Sequence, residues 1–322
     1  MKVVLASRVA VDPVLSALRA IEGAEIVHCK EHAEVPQAMQ GAEVLVLSDP
    51  KGPEGLAIAK ALRQPGCTVR WVQMTTAGAD GLLNNGGVPP GIVVTNQGGA
   101  VAPTVAESAM AMILAMTRRI PYITEHSARH EWIKAFDPPL MALEGRTLAI
   151  VGYGNLGRQL AKRAKGFDLK IVGLSRSLTS DALADEMHPM TELHAVLGQA
   201  DVVAVTVASY PSTRHIMNAA AFAAMKPGSL FVNVSRGETV DQAALRQALL
   251  EGRLRGAFID VTEPEPLPPG DPLWDTPNLL IAPHCAGHGG TRTGARIGKV
   301  LTENLALYRA GKPLNHRVET GA

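Results

Sequence analysis

Short β-branched runs recur along this chain with helix-length stretches between them, and that alternation admits few folds. In the first hundred residues the runs are Val3-Val4-Leu5, Ala24-Glu25-Ile26-Val27, Val44-Leu45-Val46-Leu47, Val69-Arg70-Trp71-Val72 and Ile92-Val93-Val94. A second series opens at Leu148-Ala149-Ile150-Val151 and continues through Ile171-Val172, Val202-Val203-Ala204-Val205, Leu230-Phe231-Val232 and Leu279-Leu280-Ile281. Strands that alternate with helices form βαβ units, because parallel neighbours need a crossover rather than a tight turn. The 322 residues are about twice the usual single-domain length. Two parallel α/β units in tandem are therefore expected. Between them, Pro103 to Arg119 has the composition of a long helix, with Pro103 near its first turn, Glu107 early and Arg118-Arg119 in its last turn. Breakers at Asn84 to Gly91, Pro138-Pro139 and Glu263 to Pro272 read as loops.

Charge excludes some functions. The 31 Lys+Arg stand against 30 Asp+Glu, so no basic field calls for a nucleic-acid partner. The apolar start Met1 to Ala6 is broken at Ser7 and Arg8, which leaves no secretory h-region. No run approaches the roughly 18 apolar residues of a membrane span. Cys29, Cys67 and Cys285 are odd in number and widely spaced, which argues against a disulfide framework and for a reducing, cytoplasmic setting.

Gly152-Tyr153-Gly154-Asn155-Leu156-Gly157 follows the run Leu148 to Val151 and opens a helix-like segment, Arg158 to Lys165. Alone such a pattern is weak. Between a strand and a helix, with a second strand at Ile171-Val172, it reads as a dinucleotide fingerprint: a tight turn, backbone close enough to meet a pyrophosphate, and a helix N-terminus facing it. An NAD site places Asp or Glu at the end of the second strand, for the ribose hydroxyls. Here that strand ends Gly173-Leu174-Ser175-Arg176-Ser177, and Asp168 and Asp181 lie too far off in sequence to replace the acid. A carboxylate repels a 2′-phosphate, whereas Arg176 pairs with one and Ser175 and Ser177 offer hydroxyls. NADP(H) is therefore expected as the preferred cofactor, with NAD(H) as the lesser one.

Downstream come Asn233-Val234-Ser235-Arg236-Gly237, then Asp260-Val261-Thr262-Glu263-Pro264-Glu265-Pro266, then Ala282-Pro283-His284, each just past an apolar run or within a few residues of one. In open α/β sheets ligands bind outside the carboxyl ends of the strands, where such residues can converge. In motif order, over nearly the whole chain, this sequence resembles the D-isomer-specific 2-hydroxyacid dehydrogenase family, which includes glyoxylate/hydroxypyruvate reductases. The resemblance implies a flavodoxin-like substrate domain of residues 1–99 plus 290–322 and a Rossmann-like NAD(P)-binding domain of residues 100–289. It implies Arg236, Glu265 and His284 as the catalytic group, with Glu265 rather than Glu263 as the carboxylate because it directly precedes Pro266. Thr75 to Asp80 resembles the substrate-carboxylate loop, which puts Thr76, Ala77 and Gly78 with Arg236 and His284 at the substrate. Val101 to Glu107 resembles the helix entry near the nicotinamide, which brings in Thr104, and the resemblance also puts Val207, Ser235 and Asp260 with the fingerprint residues in the cofactor set. A homodimer is implied as well.

The chemistry follows from those residue types. Reduction of a 2-oxo acid needs a hydride at C2, a proton for the carbonyl oxygen, and positive charge at the carboxylate. His284 as imidazolium supplies the proton, Glu265 orients its ring, and Arg236 clamps carboxylate and carbonyl. Two other readings fit the same motifs: a dinucleotide-sensing corepressor, which is expected to carry tails beyond those visible around Thr320, and a dehydrogenase of formate, phosphite or another small anion. His284, Cys285 and His288 invite a metal, but zinc needs three or four converging ligands and no further Cys/His cluster is apparent, so no metal is expected. Trp132 has two readings, a packing residue or an anchor onto a partner chain. The Gly-rich segment Cys285 to Gly290 departs from the family pattern.

Overall fold

The computed structural model describes residues 1–178 and 180–320. In chain order the first elements are β1 (Lys2–Ala6), α1 (Val11–Arg19), β2 (Glu25–His28), α2 (Val35–Ala38), β3 (Val44–Leu47), α3 (Gly52–Leu62), β4 (Trp71–Met74), α4 (Asp80–Leu83) and β5 (Val93–Thr95). There follow α5 (Ala102–Thr117), α6 (Ile120–Ala128), β6 (Thr147–Val151), α7 (Asn155–Ala164), β7 (Lys170–Ser175), β8 (Glu186–Pro189), α8 (Leu193–Leu197) and β9 (Val202–Val205). The last are α9 (Ala219–Ala224), β10 (Ser229–Asn233), α10 (Gln242–Leu250), β11 (Leu254–Ile259), β12 (Leu279–Ile281) and α11 (Thr293–Arg309). The chain divides into two compact units, Met1–Val101 together with the stretch from Gly289 onward, and Ala102–His288. Each carries one parallel sheet, so both are α/β units of the Rossmann-like kind.

The first unit orders its strands β2-β1-β3-β4-β5. Alternation along β1 serves two cores: Val3 and Leu5 meet Val14 and Leu18 of α1 and Ile297, Leu301 and Leu305 of α11, while Val4 and Ala6 meet Ile58 and Leu62 of α3. A sheet covered on both faces needs apolar residues at successive positions, which is why β3 reads Val-Leu-Val-Leu. The fourth strand begins two residues later than its sequence suggests. Its ladder to β3 starts at Trp71, opposite Val44, and Val69 is buried outside the strand.

The second unit orders its strands β12-β11-β10-β9-β6-β7-β8, all parallel. Its core includes Phe222 against Phe231, edge to face at 5.2 Å. Two of its strands lack the pattern that marks the others: β8 is a polar edge strand ending in Pro189, and β11 carries Arg255, Gly256 and Ala257 at its second to fourth positions. The long helix ends at Thr117, short of Arg118-Arg119. Arg119 adopts the left-handed conformation, with φ 55°, and opens α6. No helix among the described residues is long and apolar enough to cross a membrane.

Candidate active site

Six segments leave the carboxyl edge of the seven-stranded sheet side by side. Those after β12, β11 and β10 carry His284, Asp260 to Glu265, and Arg236; those after β9, β6 and β7 carry Val207, Gly152 to Gly157, and Ser175 to Ser177. Between β6 and β9 the order of connection reverses, which is the point where open parallel sheets bind ligands.

Glu265 and His284 meet there. His284 Nδ1 lies 2.7 Å from Glu265 Oε1, with both side chains about one-third exposed. A carboxylate offers only lone pairs, so Nδ1 carries the hydrogen and Nε2 is left for another partner. The His284 backbone is left-handed at φ 52°, a conformation that costs about 1 kcal/mol or more in a residue with a Cβ. The backbone around it is tied down. The His284 amide donates to the Asp260 carbonyl at 2.8 Å, and the buried Asp260 carboxylate accepts from the amides of Cys285 at 2.9 Å and Ala286 at 3.1 Å. The Ser108 hydroxyl of α5 closes the arrangement on the Ala286 carbonyl at 3.0 Å. Burial pushes the Asp260 carboxyl up, and the nearby Glu265 adds to it, against the Ala286 and Cys285 amides and the charge of His284.

The Arg236 turn braces itself. Asn233 donates from Nδ2 to the Arg236 carbonyl at 3.0 Å, and its Oδ1 accepts from the Ser235 amide and hydroxyl at 3.0 and 2.8 Å. Thr239 Oγ1 donates to the same Arg236 carbonyl at 2.6 Å. Gly237 follows because a Cβ there would lie 2.1 Å from the Thr262 carbonyl oxygen, which brings the segments after β10 and β11 into backbone contact.

The fingerprint turn has the shape its glycines allow. Gly152 has φ +100°, and a Cβ on it would meet the Val207 amide at 2.6 Å, so Val207 is packed onto the turn. A Cβ at Gly154, by contrast, would meet no protein atom within 4 Å, and Gly154 and Asn155 are exposed at the start of α7, with Leu156 half-buried and Gly157 buried behind them.

The sequence model of the D-isomer-specific 2-hydroxyacid dehydrogenase NAD-binding domain matches residues 110–286. The chain is 34% identical over 277 residues to a glyoxylate reductase of Korarchaeum cryptofilum (strain OPF8), covering 84% of this chain and 80% of that one. It belongs to the D-isomer-specific 2-hydroxyacid dehydrogenase family. Solved structures agree. A family member from Aeromonas salmonicida subsp. salmonicida A449 superposes with a TM-score of 0.86 at 27% identity, over 99% of both chains. An NADPH-dependent glyoxylate/hydroxypyruvate reductase from Sinorhizobium meliloti, in complex with NADP and sulfate, gives 0.82 at 25% identity over 99% of this chain and 98% of that one. The protein is an NAD(P)-dependent 2-hydroxyacid dehydrogenase.

The residues of this dehydrogenase fit the nucleotide. The open side of Gly154 and the N-terminus of α7 form a cradle that a Cβ would fill. Beyond β7, Arg176 and Ser177 are exposed, Ser175 Oγ accepts from the Ser177 amide at 3.3 Å, and the Arg176 guanidinium lies 5.4 Å from the Tyr210 ring centroid. Asp181 pairs with Arg158 of α7 at 2.9 Å. Asp168 holds the Gly145 amide through its carbonyl. Thr104 is half-buried in the first turn of α5.

Thr76, Ala77 and Gly78 belong to the other unit. There Thr76 Oγ1 donates to the Gly78 carbonyl at 2.8 Å and Asn96 Nδ2 to the Ala77 carbonyl at 2.9 Å. The amides of Ala77 and Gly78 have no protein acceptor among the described residues. His288 is exposed, and among the described residues no three or more His, Cys, Asp or Glu side chains are grouped to hold a metal. Trp132 is 91% exposed, which removes the packing reading within its own chain. Tyr210, Ser108 and Gln242 were not singled out from sequence, and nothing local to them marks their partners.

Proposed function

We propose that this dehydrogenase reduces small 2-oxo acids of the glyoxylate/hydroxypyruvate type to D-2-hydroxy acids, preferring NADPH to NADH, with Arg236, Glu265 and His284 as its catalytic residues. The observation that carries the reading is the 2.7 Å bond between His284 Nδ1 and Glu265 Oε1 at the carboxyl edge of the sheet. It leaves the Nε2–H of an imidazolium as the acid that protonates the carbonyl oxygen, in a ring orientation held by Glu265. Arg236, with its planar fork of donors, holds the substrate carboxylate and polarises the carbonyl. Thr76 and the amides of Ala77 and Gly78 supply further donors for the carboxylate. The bound nicotinamide supplies the hydride.

Gly152, Gly154, Asn155, Leu156 and Gly157 hold the pyrophosphate, Thr104 lies at the helix entry near the nicotinamide, and Val207, Ser235 and Asp260 complete the cofactor set. Arg176, with Ser175 and Ser177, reads the 2′-phosphate. The Korarchaeum relative is a glyoxylate reductase and the Sinorhizobium protein is NADPH-dependent, which supports both parts of the reading. The protein works in the cytoplasm as a homodimer. The second copy covers Ile120, Trp132 and Leu140, which are 47%, 91% and 37% exposed beside a helix, α6, with no buried residue. Sedimentation of the wild type and of Trp132→Ala tests this, a monomeric wild type being the refuting result.

The deciding experiment measures initial rates of NADPH and NADH oxidation against glyoxylate, hydroxypyruvate, pyruvate and bulkier 2-oxo acids. NADPH turnover well above NADH, fastest with the two smallest polar acids, is expected. Faster NADH turnover makes Arg176 a bystander. Binding of both cofactors without turnover of any acid replaces the proposal with a nucleotide-sensing role or another small anion as substrate.

A further inference from the structure

Glu265 and its two neighbouring prolines are exposed, and Glu265 makes no backbone hydrogen bond among the described residues. Its carboxylate nevertheless has to stay within hydrogen-bond distance of His284. Just before it, the Pro264 carbonyl accepts from the Thr262 hydroxyl at 2.8 Å, and one residue earlier Glu263 is held on both of its backbone groups. Gln242, the first residue of α10, donates from Nε2 to the Glu263 carbonyl at 2.7 Å and accepts from the Glu263 amide through Oε1 at 2.8 Å. A side-chain amide here pairs with both backbone groups of one residue, as a neighbouring strand would.

The start of α10 is itself fixed, because the Asp241 carboxylate caps the amides of Ala243 and Ala244, both at 3.1 Å. The Glu263 side chain is tied too, to Arg214 at 2.9 Å and near His215 at 3.7 Å. From that clamp the chain reaches Glu265 through Pro264 and leaves it through Pro266, each with φ restrained by its ring. Beyond, Leu267 packs on the core of the unit. Glu265 is thus held between the Thr262 and Gln242 bonds to the two residues before it and an apolar anchor two residues after.

We infer that Gln242 is a positioning residue for the acid–base pair, acting through the Glu263 peptide on Glu265; this rests on the catalytic assignment of Glu265 proposed above. Only an amide side chain does this work. A carboxylate at 242 has no hydrogen for the Glu263 carbonyl and repels it. Displacement of a catalytic group by a fraction of an ångström lowers turnover and leaves binding of the nucleotide, proposed to rest on the fingerprint turn, as it was.

The test is a double-mutant cycle on the purified full-length enzyme, with kcat and KM for NADPH and glyoxylate, using Gln242→Ala and the near-isosteric Gln242→Glu in the wild-type and Glu265→Gln backgrounds. NADPH fluorescence titration and Tm report folding of each variant. In the wild-type background each substitution is expected to lower kcat about tenfold with KM for NADPH unchanged. In the Glu265→Gln background the further loss is expected to be under about twofold, because the group that Gln242 positions is already gone. The same factor in both backgrounds, or none in the wild type, overturns the positioning role while Glu265 stands. A Glu265→Gln enzyme with full activity removes the Glu265 assignment, and the inference with it. If the alanine variant does not fold, the glutamate variant decides by the same comparison.

Discussion

The two ends of one sheet edge are built differently. After β10, β11 and β12, the segments carrying Arg236, Glu265 and His284 are laced by buried or half-buried bonds from Asn233, Thr239, Asp260, Ser108 and Gln242. After β7, Arg176 and Ser177 lie in solvent, restrained among the described residues by a long Ser177–Ser175 bond and the Tyr210 ring. The difference matches the demands of the two tasks proposed for these regions. Proton transfer tolerates little displacement, so its groups need a rigid surround. Choosing between a ribose hydroxyl and a 2′-phosphate needs mainly the right sign of charge, which an exposed arginine supplies.

That contrast can be broken at either end. His284→Gln is expected to lower kcat by about a thousandfold with both cofactors alike, at unchanged Tm. A loss confined to one cofactor would erase the distinction. Arg176→Asp is expected to lower the NADPH-to-NADH ratio of kcat/KM by about tenfold to a hundredfold, through loss of a charge-assisted contact and gain of a repulsion. KM for glyoxylate should not move, and steady-state kinetics with each cofactor checks both statements. Tyr210→Leu removes the ring under Arg176 and should reduce the same ratio about twofold to fivefold, the scale of an exposed cation–π contact. An unchanged ratio means that Arg176 needs no restraint at all.

The smallest effect belongs to the opposite, amino edge of the same sheet. Asp201 precedes β9 and accepts from Lys226 at 2.7 Å, Arg146 at 3.1 Å and the Thr147 amide at 2.9 Å. Burial pushes its carboxyl up, but the Lys226 bond, the Thr147 amide and the charges of Lys226 and Arg146 outweigh it and hold it below the usual range. A depressed carboxylate contributes stability above its unfolded pKa, about 4, and that stability is lost as pH falls through the lower folded value. Asp201→Asn is therefore expected to lower Tm by a few degrees at pH 7 and to flatten its fall below about pH 4, with kcat unchanged. Thermal melts across that range, together with kcat, separate fold from function.

Much of this was visible in the chain itself. Alternation of Val3 to Leu5 and its successors announced parallel sheets, because burial on both faces leaves a local apolar signature. Gly152, Gly154 and Gly157 were readable for a similar reason: within six residues the fold itself demands glycine at 152 and 157, while Gly154 leaves its side of the turn open. The edge strand Glu186–Pro189 and the strand Leu254–Ile259 were missed, since one is polar and the other holds Arg255, Gly256 and Ala257 where β-branched residues usually stand.

What no local pattern carries is which distant groups meet. Ser108 and Ala286 lie 178 residues apart, and Gln242 and Glu263 lie 21 apart on different elements. Sequence alone determined the alternation of most strands and helices, the presence of two parallel α/β units and the residue types suited to a nucleotide and a proton, because those depend on side-chain chemistry and short-range periodicity. Only the tertiary structure decided that Glu265 reaches His284, that Gln242 holds the Glu263 backbone, and that Arg176 rests on Tyr210, because each contact depends on the register and order in which β7, β9, β10, β11 and β12 are laid side by side.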